Sequence, residues 1–103
     1  MGYNGLQWVT LYLMRITWDI VKSETNLEKY EVSFDEAASV LLSDTSVSFE
    51  DDDPDEERFI AIGYSAQSRV LTVVYCYRLE DEIRIISARR ATRKERKDYE
   101  EGI

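Results

Sequence analysis

The sequence predicts an α+β fold: a small antiparallel β-sheet of four to five strands, with two short helices after the first strand and one helix at the C-terminus. Three observations carry that expectation. Before Asp44 the apolar residues recur at helical spacing, and after it they fall into short runs rich in β-branched and aromatic residues. Helical spacing returns only near the end, behind a capping signature. With 103 residues and 44% of them hydrophobic, the chain suits one domain around one core.

The elements follow in order. "RITW", residues 15–18, reads as a short strand, and Asp19 can cap a helix through "IVKSETNLEKY", with Ile20, Leu27 and the ring of Tyr30 on or near its packed face. A second helix, "SFDEAASVLL", opens with a capping box. In it the Ser33 hydroxyl accepts from the Glu36 amide and the Glu36 carboxylate reaches back to the amide of Ser33. Residues 46–49, 58–64, 69–78 and 82–88 read as strands of an antiparallel meander separated by turn-sized gaps. The third of these is apolar at both parities, which places it centrally with both faces covered and Cys76 as a core thiol. "ATRKERKDYEEG" then starts a C-terminal helix with a second capping box, Thr92 with Glu95. Residues 1–13 carry no charge and precede a second methionine, Met14, so they read as an extension to a single domain at 14–103. They have neither the basic start nor the small-residue cleavage site of a signal peptide, and too few apolar residues to span a bilayer.

Charge is distributed unevenly. The formal net charge is −8, yet Arg84 to Lys97 holds seven of the thirteen Lys and Arg residues and a single acid, Glu95. That segment carries +6, so the remainder sums to −14, half of it in "EDDDPDEE", residues 50–57. Screening over roughly 8 Å at physiological salt lets the basic segment act on a phosphate independently of distant carboxylates. Arg93, Lys94, Arg96 and Lys97 are accounted for by a solvated helix face that pairs with the acids at 98, 100 and 101. Arg84, Arg89 and Arg90 lie in or beside a strand, where charge has few packing reasons to occur, and the guanidinium fork matches phosphate oxygens. A tight turn near Glu80 and Asp81 would set Arg84 opposite Tyr77 and on the face of Tyr75. Arg58 joins that face in one register of the 65–69 turn and leaves it in the other.

Composition removes several chemistries. The chain has no histidine and one cysteine, which excludes His and Cys metal sites, a Ser-His-Asp triad and a histidine acid/base pair. The acidic run lacks the ligand spacing and glycine of an EF-hand, so no metal site and no cofactor are expected.

The segments "ITWD", "KYEVSFDEA", "EERFIAIGYS" and "RVLTVVYCYR", and above all "IRIISARRATRKERKDYEEG", closely resemble the BrnT family, the ribonuclease toxins of bacterial toxin–antitoxin operons. The resemblance spans about Arg15 to Gly102. It implies a RelE-like fold, RNA cleavage that blocks translation in the cytoplasm, and neutralisation by a BrnA-type DNA-binding antitoxin through which alone DNA is touched. By motif it carries over Lys22, Lys29, Arg58, Arg78, Arg84, Arg89 and Arg90. Of these, Lys29, Arg58, Arg78, Arg84 and Arg89 are candidate catalytic residues together with Tyr30, and Lys22 and Arg90 are candidate RNA contacts together with Arg93. Where the family usually reads Lys-His-Gly, this chain reads Lys29-Tyr30-Glu31. An unperturbed tyrosine titrates near ~10 and histidine near ~6.5, so a tyrosine there suits an acid better than a base. A residue with a Cβ at the following helix cap costs roughly 1 kcal/mol. Two functions fit: a metal-independent endoribonuclease using the RNA 2′-hydroxyl, or a catalytically impaired interaction protein that serves only as the antitoxin's partner in a repressor complex.

Overall fold

The structure, a computed structural model, describes residues 14–102, so the expected extension at 1–13 lies outside the described residues. The elements are β1 (Arg15–Thr17), α1 (Ile20–Tyr30), α2 (Phe34–Leu42), β2 (Val47–Glu50), β3 (Phe59–Tyr64), β4 (Val70–Leu79), β5 (Glu82–Arg90) and α3 (Arg93–Glu100). They form one five-stranded sheet in the order β1-β5-β4-β3-β2. β2 to β5 are the antiparallel meander read from the sequence, and β4 occupies its centre. β1 pairs parallel to β5, so the sheet is mixed. Periodicity reports that a segment is extended, but not the direction in which it meets a strand distant in sequence.

Leu71, Val73, Tyr75, Ile85 and Ala88 on one face of the sheet pack against Val32 and against Phe34, Ala37 and Val40 of α2. Trp18 meets Phe34 edge to face at 6.1 Å and Phe59 stacks on Tyr75 at 5.6 Å, which closes the ends of this layer. Gly63 is required where β3 passes the α2–β2 connection: a Cβ there would sit 2.7 Å from the Ser46 Cβ and 3.0 Å from its Cα. The second face is covered only in part, by α3 lying over β3. Cys76 is therefore half-buried on that face instead of enclosed in the core.

β1 reaches only as far as Arg84 along β5, which leaves the rest of that strand with a free edge. Asn26 closes it. Its carboxamide Nδ2 donates to the Ala88 carbonyl at 2.8 Å and to the Val32 carbonyl at 2.9 Å, and its Oδ1 accepts from the Ala88 amide at 3.1 Å. The side chain thus stands in for a neighbouring strand and satisfies backbone groups that burial would otherwise leave unpaired. This engagement sets the rotation of α1. Leu27 lies about 100° round the helix from Asn26, and Ile20 and Leu27 are 73% and 51% exposed, not packed as their spacing suggests. Tyr30 is 39% exposed.

The helix ends follow the sequence closely, with one departure. Asp19 accepts from the Lys22 amide at 3.0 Å, and Glu31 closes α1 in the left-handed region at φ 58° with its amide on the Leu27 carbonyl. Thr92 and Glu95 make both halves of their capping box. Ser33 accepts from the Glu36 amide at 3.1 Å, but the Glu36 side chain does not return to Ser33. It is drawn into a buried ion pair with Arg69, which a charged carboxylate inside the core needs more than the cap does.

Candidate functional site

The last strand sets its arginines in two places. Arg89 lies opposite Thr72 and Arg84 opposite Cys76, both on the sheet face that α3 only partly covers. Arg84 is not opposite Tyr77 and does not share the face of Tyr75. A bulge between Tyr77 and Leu79 shifts the register by one residue, which reverses the face. Five residues of strand separate Arg84 from Arg89, about 16 Å at ~3.3 Å per residue, so the two guanidinium groups serve separate positions.

At the Arg89 end three elements meet. Nη1 and Nη2 of Arg89 donate to the two carboxylate oxygens of Glu95 at 2.8 and 3.0 Å, and Nη1 also reaches the Arg90 carbonyl at 3.2 Å. Glu95 accepts in addition from the buried Thr72 hydroxyl at 3.0 Å and from the Thr92 amide at 2.8 Å. Led by Arg89 and assisted by the Thr92 amide and the Thr72 hydroxyl, these donors pull the Glu95 carboxyl from 4.5 to about 2 against the opposing effect of burial. The Arg89 guanidinium is held above its ordinary value by Glu95 first, and also by the proximity of Tyr30. Tyr30, the last residue of α1, lies one turn beyond Asn26, which binds the Ala88 backbone next to Arg89, and the Lys29 ammonium lies 5.2 Å from the Tyr30 ring centroid. The fork is fixed on one side by Glu95, while the Arg89 side chain remains 40% exposed to a ligand.

The Arg84 end is different in kind. Extending the regular β3–β4 register by one residue sets Arg58 across from Cys76, so Arg58 and Arg84 flank that thiol. Arg58 is neutralised by the acidic run: Asp51 at 2.6 Å, Asp53 at 3.0 Å and Glu56 at 3.8 Å, and its guanidinium is held above its ordinary value chiefly by Asp51. Part of the acidic run is therefore a clamp on this arginine. Arg84 makes no ion pair among the described residues, and its Nε is buried without a hydrogen-bond partner. Arg78, beside it at the bulge, is exposed. This end gathers cations about the Cys76 thiol, with carboxylates of the acidic run already engaged on Arg58.

Of the remaining candidates, Lys22 and Arg93 are exposed in the first turns of α1 and α3, and Arg90 is exposed at the end of β5. Lys94 and Arg96 pair with Asp98 and Glu100 four residues on, as a solvated helix face requires. Sequence reasoning missed Arg69 and Asn26. Arg69 Nε donates to Glu36 Oε2 at 2.9 Å, Nη2 binds Oε1, and the Ser65 hydroxyl donates to Oε2 at 2.6 Å. Nη2 also takes the Glu31 carbonyl at 3.1 Å, so one side chain ties α2 and the end of α1 to the β3–β4 turn. No spacing rule couples residues 36 and 69. The signal for Asn26 was a side chain that helix interiors disfavour, placed in the middle of a helix.

Comparison with known proteins agrees with this architecture. A model of the family described as ribonuclease toxin, BrnT, of type II toxin–antitoxin system matches residues 18–95. No curated protein matches. The crystal structure of the Brucella abortus ribonuclease toxin BrnT superposes with a TM-score of 0.63 at 26% identity, over 78% of this chain and 99% of that one. The chain belongs to the BrnT family of ribonuclease toxins of type II toxin–antitoxin systems.

Proposed function

We propose that this toxin is an endoribonuclease that works at the Arg89 end of β5. The observation that carries the reading is the Arg89 fork, gripped by Glu95 yet 40% exposed, beside the end of α1 where Asn26 binds the neighbouring Ala88 backbone and Tyr30 lies one turn further on. The RNA 2′-hydroxyl attacks the adjacent phosphorus, its proton passes to solvent, and the bond to the 5′-oxygen breaks to leave a 2′,3′-cyclic phosphate. Arg89 stabilises the charge on the phosphorane oxygens, an effect that is often the largest in catalysis. Tyr30 donates the proton to the departing 5′-oxygen, and Lys29 adds positive charge beside it. Glu95 is a positioning residue that holds the Arg89 fork. Arg84 and Arg78 hold phosphates further along the strand, Lys22, Arg90 and Arg93 contact RNA at the rim, and Arg58 anchors the acidic connection. Cleavage blocks translation in the cytoplasm, and a BrnA-type DNA-binding antitoxin neutralises the toxin.

Purified protein incubated with RNA at low salt tests this: the expected products carry 2′,3′-cyclic phosphate ends, and expression without antitoxin arrests translation. A second reading draws on Tyr30, which stands where the family usually has histidine: a catalytically impaired partner of the antitoxin. Intact RNA at low salt and harmless expression would select it and defeat the first.

A further inference from the structure

Away from Arg89, a notch of about 170 Å³ lies between the β3–β4 turn and the start of α3, lined by Ser68, Arg69, Val70, Arg90, Ala91 and Arg96. We propose that this notch binds one phosphate of a polynucleotide strand, at a position separate from the site of cleavage. Three guanidinium groups line it, and two carboxylates compensate them: Glu36 on Arg69, and Glu100 on Arg96 at 3.3 Å. Glu31 also lies near Arg69, so the unpaired charge of the notch is that of Arg90, which makes no ion pair among the described residues.

The hydrogen-bond inventory leads to the same ligand. The Arg90 side chain has no partner among the described residues. Among the described residues Arg69 uses Nε and Nη2 on Glu36 and the Glu31 carbonyl and has Nη1 available, and Arg96 binds Glu100 through Nε. Arg69 is already immobilised by its buried pair, so binding orders little that is not ordered in the free protein. The lining is mostly polar, and several convergent N–H donors suit phosphate oxygens better than an apolar side chain. Ser68, held at φ 62° in the turn, adds a hydroxyl at the rim.

The choice of a strand as the source of the phosphate rests on the ribonuclease reading, whereas the affinity for phosphate does not. The test is NMR of the whole ¹⁵N-labelled chain, following the arginine Nε–H signals and the Ser68 amide. Three probes are titrated: inorganic phosphate, hexathymidylate, and hexathymidylate with an uncharged methylphosphonate backbone. A deoxyribonucleotide has no 2′-hydroxyl to attack, so the outcome is independent of cleavage. The expected result is that phosphate and hexathymidylate both shift the Arg90 and Ser68 signals and the uncharged strand does not. Arg90→Gln and Arg96→Gln, both at exposed positions, each weaken hexathymidylate by about tenfold, the change that ~1.4 kcal/mol produces. Shifts with inorganic phosphate alone would overturn the assignment to a strand, and no shifts with either charged probe would overturn the notch as an anion site.

Discussion

Two arginine–glutamate pairs in this molecule are built alike and used differently. In both, the glutamate is the third residue of a helix that opens with Ser or Thr, Glu36 after Ser33 and Glu95 after Thr92. In both, a hydroxyl from the sheet side joins the guanidinium on the carboxylate, Ser65 at Glu36 and Thr72 at Glu95. They differ in burial: the Glu36 side chain is 2% exposed and Arg69 24%, against 28% for Glu95 and 40% for Arg89. The closed pair is a clamp that holds the end of α1, the start of α2 and the β3–β4 turn together. In the open pair the carboxylate grips one side of the fork and leaves the other to solvent, next to Tyr30. One local motif therefore yields a structural clamp or a candidate phosphate site according to how deeply it is buried.

The largest effect separating the pairs is expected from Arg69→Met, which leaves Glu36 buried without its partner. About 3–5 kcal/mol of stability should be lost, measured by urea denaturation. Arg89→Lys keeps the charge but not the fork, and should lower RNA cleavage by about 100-fold while the fold persists. Glu95→Gln should cost about 1 kcal/mol, since a half-exposed pair is screened by water. It should also change the acid limb of the stability curve. The folded-state carboxyl is depressed from 4.5 to about 2, so its contribution is complete above pH 4.5 and fades as pH falls toward 2. The Gln variant should lose that slope, as followed by thermal melts across the range. The smallest change in cleavage is expected from Arg58→Ala, because three carboxylates already occupy that guanidinium.

The parts legible in the sequence were those decided locally. Asp19, Ser33 and Thr92 cap as their spacing requires, the meander appears in its expected order, and Glu31 takes the left-handed cap despite its Cβ. What escaped was decided between distant segments. The parallel pairing of β1 depends on which sheet edge is vacant. The face of Arg84 depends on a bulge that one residue creates or removes. The rotation of α1 depends on a carboxamide that finds the Ala88 backbone sixty-two positions away. Arg58 and the acidic run were each visible, but their mutual neutralisation required the hairpin that brings them together. The basic segment was found by counting charges, and its division into two ends follows from the length of a strand.

The decisive measurement is single-turnover cleavage of RNA by Tyr30→Phe beside the parent protein, with melting temperatures of both. If Tyr30 delivers the proton at the Arg89 end, loss of one hydroxyl lowers the rate by about 10²-fold or more with the melting temperature unchanged. An unaltered rate in the folded variant would contradict the assignment of chemistry to this end of the strand.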